Sequence, residues 1–283
     1  MTARVAVLLF PGSNCEQDVL HAFGCLGVRA EYVWHHATDL GGFDAVVLPG
    51  GFSYGDSLRT GAIAAFSPVM DGVRRFAADG GPVLGICNGF QILCEAGLLP
   101  GALRWNAGLK FICRPVDLVV GTADSPFTRG VEAGQVLRVP INHFQGNYYA
   151  PPDLVQELER SDRIAFRYCA PDGGLSEAAN PNGSERGIAG VLSEGRNVLG
   201  MMPHPERAVD PDVGGTDGAV ILQSLLDALL DPASGAATPI LATGPADAAA
   251  PATGPANVAT PAAPATGPGT PATPNPANGS PRP

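Results

Sequence analysis

The sequence predicts an α/β fold: three layers, with a mostly parallel sheet flanked by helices and extended by added antiparallel strands. Through roughly the first hundred residues, short apolar runs alternate with segments of helical periodicity, which favours a parallel sheet covered on both faces. Those runs stop at Pro11-Gly12, Pro49-Gly50-Gly51 and Cys87. In such sheets ligands bind at the carboxyl ends of the strands. Beyond that region the spacing changes to short strand candidates separated by Gly, Pro and Asn turns.

Val5 to Phe10 is an unbroken apolar run ending at Pro11-Gly12, the pattern of a strand buried on both faces. Ser13 or Asn14 is placed to cap the next helix, where Val19, Leu20, Phe23 and Leu26 recur at helical spacing before Gly27. Further strands are predicted over Ala30–Trp34 and Ala45–Leu48. Gly61 to Ala78 reads as a helix broken or kinked at Pro68. A fourth strand over Pro82–Ile86 leads into a helix over Gly89–Ala96. In the second half, Phe111–Val120, Val136–Asn142, Arg163–Tyr168, Gly187–Leu192 and Asn197–Met202 are strand candidates. An amphipathic helix over Asp217–Leu230 carries Val220, Ile221, Leu225 and Leu229 on one face.

Composition divides the 283 residues in two. From Pro232 onward the chain is almost entirely Ala, Pro, Thr, Gly and Asn, too poor in large apolar residues to offset its ordering entropy. The expectation is one domain over residues 1–231, long enough for a sizeable core, and a disordered tail over 232–283. The net charge of −10 and the lack of a basic cluster argue against nucleic acid and anionic membranes as partners. No apolar run is long enough to span a bilayer, and the N-terminus runs directly into strand-like sequence. Cys15, Cys25, Cys87, Cys94, Cys113 and Cys169 show no metal-type spacing. Reduced thiols in a cytoplasmic protein are therefore expected, with no metal.

The stretch Gly85-Ile86-Cys87-Asn88-Gly89-Phe90-Gln91 between a strand and a helix has the form of a nucleophile elbow. Such a turn holds its central residue in a strained conformation at a helix N-terminus. Backbone N–H groups there favour the thiolate of Cys87, and the Asn88 N–H is placed to stabilise an oxyanion. A buried structural cysteine in a glycine-rich turn would give the same letters. The base must come from elsewhere. His204 and Glu206, in Met201-Met202-Pro203-His204-Pro205-Glu206-Arg207, face the same side if that segment is extended. Glu206 then fixes the tautomer of His204. Alone, the His-x-Glu pattern is equally a surface turn. His143 is a competing base without a carboxylate at strand spacing; His35 and His36 are expected on a solvated loop, and His21 on a helix surface. The paired glycines in Pro49-Gly50-Gly51 suit a second oxyanion donor, although a tight turn explains them too.

Gly85-Ile-Cys87-Asn-Gly89-Phe-Gln91 with His204-Pro-Glu206 resembles class I, triad-type glutamine amidotransferases. Phe10-Pro-Gly-Ser-Asn-Cys15, Pro49-Gly-Gly-Phe-Ser-Tyr-Gly-Asp56, Leu58-Arg59, Gly61-Ala-Ile-Ala64, Asn180-Pro-Asn-Gly183 and Gly200-Met-Met-Pro-His-Pro-Glu-Arg207 narrow it. They are similar to the glutaminase subunits of phosphoribosylformylglycinamidine synthases, over nearly all of residues 4–230. The resemblance implies a thiol attack by Cys87 on the side-chain amide of L-glutamine, with His204 and Glu206 completing the triad. It also implies oxyanion N–H groups from Gly51 and Asn88, a substrate contact from Gln91, and closure of the amino-acid end of the pocket by Asn106 and Phe111. Ammonia would pass to a separate synthetase subunit. ATP and magnesium belong to that partner, this subunit needs no cofactor, and a small third subunit completes the complex.

The chain departs from a His-Gly-Glu-Gly-like stretch at Asn142-His143-Phe144-Gln145-Gly146-Asn147-Tyr148, and the tail has no counterpart in the pattern. Three other readings stay open at this point: an amidotransferase for another acceptor such as a GMP- or CTP-forming enzyme, a stand-alone γ-glutamyl cysteine hydrolase, and a silent binding subunit.

Overall fold

A computed structural model describes residues 3–231. The predicted tail over 232–283 lies outside the described residues. The first half alternates as expected. Strand β1 (Arg4–Leu9) leads to helix α1 (Glu16–Cys25), β2 (Arg29–Trp34) and β3 (Ala45–Leu48). Next come α2 (Val69–Ala78), β4 (Val83–Ile86) and α3 (Asn88–Glu95). The second half contains β5 (Ala102–Arg104), β6 (Ile112–Val120), β7 (Val136–His143), β8 (Asn147–Tyr149) and α4 (Pro152–Arg160). It ends with β9 (Ile164–Cys169), β10 (Ile188–Leu192), β11 (Val198–Met201) and α5 (Ala219–Leu230).

Nine strands form one sheet in the order β2-β1-β3-β4-β11-β10-β9-β6-β7, and β5 pairs with β8 in a small antiparallel sheet. The pairs β1–β2, β1–β3, β3–β4 and β4–β11 are parallel, whereas β10–β11, β9–β10, β6–β9 and β6–β7 are antiparallel. Every residue of β3, β4, β10 and β11 is buried, as their continuous apolar sequences require when helices cover both faces.

The decisive pairing is β4 with β11. Gly85 lies opposite Gly200, and Ile86 opposite Met201; on its other side Gly85 lies opposite Leu48 of β3. The carboxyl ends of three neighbouring strands therefore lie side by side, and the loops after them share one edge of the sheet. Helix α3 packs on β3, β4 and β11, and its close approach needs residues without side chains. A Cβ on Gly89 would fall 2.0 Å from the Leu48 carbonyl oxygen, and one on Gly200 2.0 Å from the fully buried Phe90 ring.

The differences from the sequence reading have local causes. Neither Ser13 nor Asn14 caps α1: Cys15 is the cap residue, with no side-chain cap bond. Ser13 Oγ instead accepts from Phe10 N at 3.0 Å, closing the turn after β1. The helix expected over 61–78 is broken at Pro68 as its sequence predicts, but the part before the break is only a short 3-10 turn, Ala64–Phe66, ahead of α2. His35 is buried rather than solvated, because its Nδ1 meets the Tyr54 hydroxyl at 3.0 Å. Helix α4, entered through Pro152, was not read from the sequence. No helix among the described residues is long and apolar enough to cross a membrane.

Two glycines test this packing. Gly89→Ala should lower stability by about 1–3 kcal/mol, because a backbone oxygen cannot move aside as a side chain can. Gly24→Ala, on an exposed position of α1 with nothing within 4 Å of the added Cβ, should raise it by about 0.5–1 kcal/mol. Chemical denaturation of both variants checks the pair.

Candidate active site

Cys87 sits between β4 and α3 with φ 51° and ψ −104°, a conformation that costs a side-chain-bearing residue about 1–3 kcal/mol. Its neighbours hold it there. The Cys87 N–H donates to the Met201 carbonyl at 2.8 Å, and its own carbonyl accepts from Gln91 N at 3.2 Å. The elbow read from Gly85-x-Cys87-x-Gly89 is therefore present. Asn88 is the first residue of α3, so its N–H has no partner within the helix. The Cys87 Sγ lies 3.8 Å from the Asn142 carbonyl oxygen.

His204 arrives from the loop after β11. Its N–H donates to the Pro140 carbonyl at 2.8 Å, tying it to β7. His204 Nδ1 and Glu206 Oε1 are 2.7 Å apart, with both side chains essentially inaccessible to solvent. The pairing matches the expectation, but its geometry differs. Pro205–Arg207 form a 3-10 turn rather than extended chain, and the carboxylate reaches back across that turn. Burial alone would depress the His204 pKa. The Glu206 carboxylate foremost, with the sulfurs of Cys87 and Cys15, outweighs it and raises the pKa well above the ordinary histidine value. The other ring nitrogen, Nε2, is buried with no hydrogen-bond partner.

Cys87 and His204 line one cavity of about 180 Å³. Gly51 and Gln91 line the same cavity. Gln91 is less free than the sequence suggested: its Oε1 accepts from Asn88 Nδ2 at 2.9 Å, and its Nε2 donates to the Gln145 carbonyl at 2.5 Å. The Asn88 Oδ1 accepts from Ser53 N at 3.1 Å.

Asn106 and Phe111 are not among the lining residues. Phe111 is about half exposed at the surface. Asn106, fully buried, works from behind the wall. Its Nδ2 donates to the Lys110 and His143 carbonyls at 2.8 and 3.0 Å, and its Oδ1 accepts from Gly146 N at 3.0 Å. With the amide so oriented, His143 Nδ1 must be the donor to Asn106 Oδ1 at 3.1 Å. His143 Nε2 is then unprotonated, and it is buried without a partner. Burial, reinforced by His204, pushes the His143 pKa down to about 3. Lacking a carboxylate, it is a neutral wall group rather than a rival base.

Cys15, Asp56, Thr60 and Gln145 also line the cavity; sequence reasoning assigned none of them a role, although Cys15, Asp56 and Gln145 fall in the stretches quoted above. For Cys15 and Asp56 the available signal was their place in loops that follow β1 and β3 at the same end of the sheet. Cys15 Sγ accepts from Arg207 Nη2 at 3.2 Å, and Arg207 Nε donates to Asp18 Oδ2 at 2.9 Å. Ligand-type atoms of Cys15, His204 and Glu206 fall within 4.8 Å of one another, although the His204–Glu206 hydrogen bond already occupies one atom of each.

Residues 2–213 match a family described as the CobB/CobQ-like glutamine amidotransferase domain. The chain is 56% identical over 227 residues to the phosphoribosylformylglycinamidine synthase subunit PurQ of Koribacter versatilis, covering 80% of this chain and 98% of that relative. It is 57% identical over 228 residues to the subunit of the same name from Rhodopseudomonas palustris strain HaA2, again covering 80% and 98%. Among solved structures, a chain of PurLQS from Thermotoga maritima superposes with a TM-score of 0.73 at 43% identity, covering 81% of this chain and all of that one. The fold, the elbow and the matched length agree: the chain belongs to the glutamine amidotransferases, in the family of PurQ subunits of phosphoribosylformylglycinamidine synthase.

Proposed function

We propose that this chain hydrolyses L-glutamine to glutamate and ammonia and delivers the ammonia to a synthetase subunit. That partner, using ATP and magnesium, converts formylglycinamide ribonucleotide to formylglycinamidine ribonucleotide in cytoplasmic purine biosynthesis. A small third subunit completes the complex, and this chain itself carries no cofactor. The observation that carries the reading is a strained cysteine sharing one cavity with a histidine whose other nitrogen is fixed by a buried carboxylate. The Thermotoga maritima structure, in which the related chain is part of PurLQS, supports the partner subunits.

Cys87 Sγ attacks the carboxamide carbon, and negative charge develops on the amide oxygen. The Asn88 N–H at the start of α3 and the Gly51 N–H stabilise that charge; each such donor is worth roughly 10²–10³ in rate. The raised pKa of His204 keeps a proton available for the departing ammonia. Once deprotonated, the same nitrogen activates water to attack the thioester, releasing glutamate. Glu206 holds the ring orientation through both steps and stabilises the imidazolium.

Cys87→Ala should abolish glutamine-dependent synthesis while added ammonia still supports it in the reconstituted complex; glutamine use by the variant would refute the assignment. Glu206→Gln should lower glutamine-dependent kcat by roughly 10²–10⁴-fold. Because the carboxylate favours the protonated imidazole, its loss should also lower the His204 pKa. The alkaline limb of the pH–rate profile then moves to lower pH, as steady-state ammonia release across a pH series would show. An unmoved limb would mean that Glu206 does not tune His204. Affinity capture of the chain from its own cells should recover an ATP-using synthetase.

A further inference from the structure

Among the described residues Asp56 is the one carboxylate on the cavity wall, and nothing in the chemistry above uses it. Its Oδ1 is shielded from solvent and has no hydrogen-bond partner. Among the described residues no lysine or arginine lines the cavity. Of the two histidines there, His143 is neutral and His204 is engaged with Glu206. A buried carboxylate oxygen without a cation or donor is costly, and burial accordingly pushes the Asp56 pKa up to about 6.

The loop that presents this group is held firmly. Tyr54, Gly55 and Asp56 all lie in the left-handed region, with φ of 52°, 65° and 55°. Tyr54 N donates to the Pro11 carbonyl at 2.6 Å, and its hydroxyl meets His35 Nδ1 at 3.0 Å and Ser67 Oγ at 3.1 Å. On the far side Arg59 makes two hydrogen bonds of 2.6 Å to Glu95. The loop is pinned on either side of an unsatisfied acceptor, which suits a fixed binding group better than a solvated surface acid.

A free amino acid whose side-chain carboxamide reaches Cys87 brings one cationic group into the same cavity. We infer that Asp56 binds the α-ammonium group of the amino-acid substrate, and so selects free glutamine over a carboxamide that lacks the amino group. The assignment rests on the glutaminase reading given above and adds a specificity residue to it. Thr60, whose Oγ1 lies 3.5 Å from Gln145 Oε1 on the same wall, offers a second oxygen near that position.

The test compares L-glutamine with glutaramate, which keeps the carboxamide and carboxylate but has hydrogen in place of the amino group. Ammonia release is measured for the full chain reconstituted with its synthetase partner. The unaltered chain should favour glutamine strongly. Asp56→Asn should raise KM for glutamine roughly 10- to 100-fold, as expected for a lost charge-assisted hydrogen bond, with kcat changed only a few-fold. The glutamine-to-glutaramate preference should collapse by a similar factor. Asparagine tolerates the left-handed backbone, and Asp56→Gly, which removes the side chain and relieves the strain, should give the same loss of preference. An unchanged KM for glutamine, or an equal fall in kcat/KM for both substrates, would overturn the inference while leaving the glutaminase reading intact. No ammonia from glutamine with the unaltered complex would overturn both.

Discussion

The site depends on a single backbone constraint, the conformation of Cys87 where β4 meets α3. A side-chain-bearing residue at φ 51° and ψ −104° does not hold itself there. The in-register pairing of β4 with β11 supplies the acceptor for its N–H, and the first turn of α3 supplies the donor for its carbonyl. The helix can start so close to the sheet only because Gly89 offers no Cβ to the Leu48 carbonyl. Sheet register, helix docking and the position of one sulfur are therefore a single packing problem, in which the stability of the core offsets the local strain.

A network of amides extends this constraint to the loops. Asn88 receives a hydrogen bond from Ser53 in the loop after β3 and gives one to Gln91, which in turn reaches the Gln145 carbonyl between β7 and β8. Asn106 braces the other side of that segment through Lys110, His143 and Gly146. Neutral hydrogen bonds can fix loops around a cavity without adding charge that would compete with the reacting groups. The ionisable groups can then be set individually: His143 is held neutral by burial, whereas His204 keeps its proton because a buried carboxylate lies 2.7 Å away. In a poorly solvated site such differences are large, since little water is present to screen them.

The stretch Asn142–Tyr148, where the sequence departs from the family pattern, shows how a local difference is absorbed. His143 and Gly146 are both tied to Asn106, and Asn142 gives its carbonyl to the neighbourhood of Cys87. The departure changes which side chains form the rim near Phe144 and Gln145. It leaves the paired His204 and Glu206 and the elbow in place.

By itself the sequence determined the alternation of the first half, the limits of β3, the elbow at Cys87 and the pairing of His204 with Glu206. Each is written in a local pattern: apolar runs that need burial on both faces, glycines flanking a cysteine, a histidine and a carboxylate two residues apart. Only the tertiary structure decided that β11, more than a hundred residues beyond β4, lies beside it, because strand order depends on long-range packing that no short window encodes. It also moved Asn106 from pocket lining to bracing, buried His35, and brought Cys15 and Asp56 to the cavity wall. Those outcomes depend on which loops meet at one end of the sheet, and that meeting is fixed by the register of strands distant in the chain.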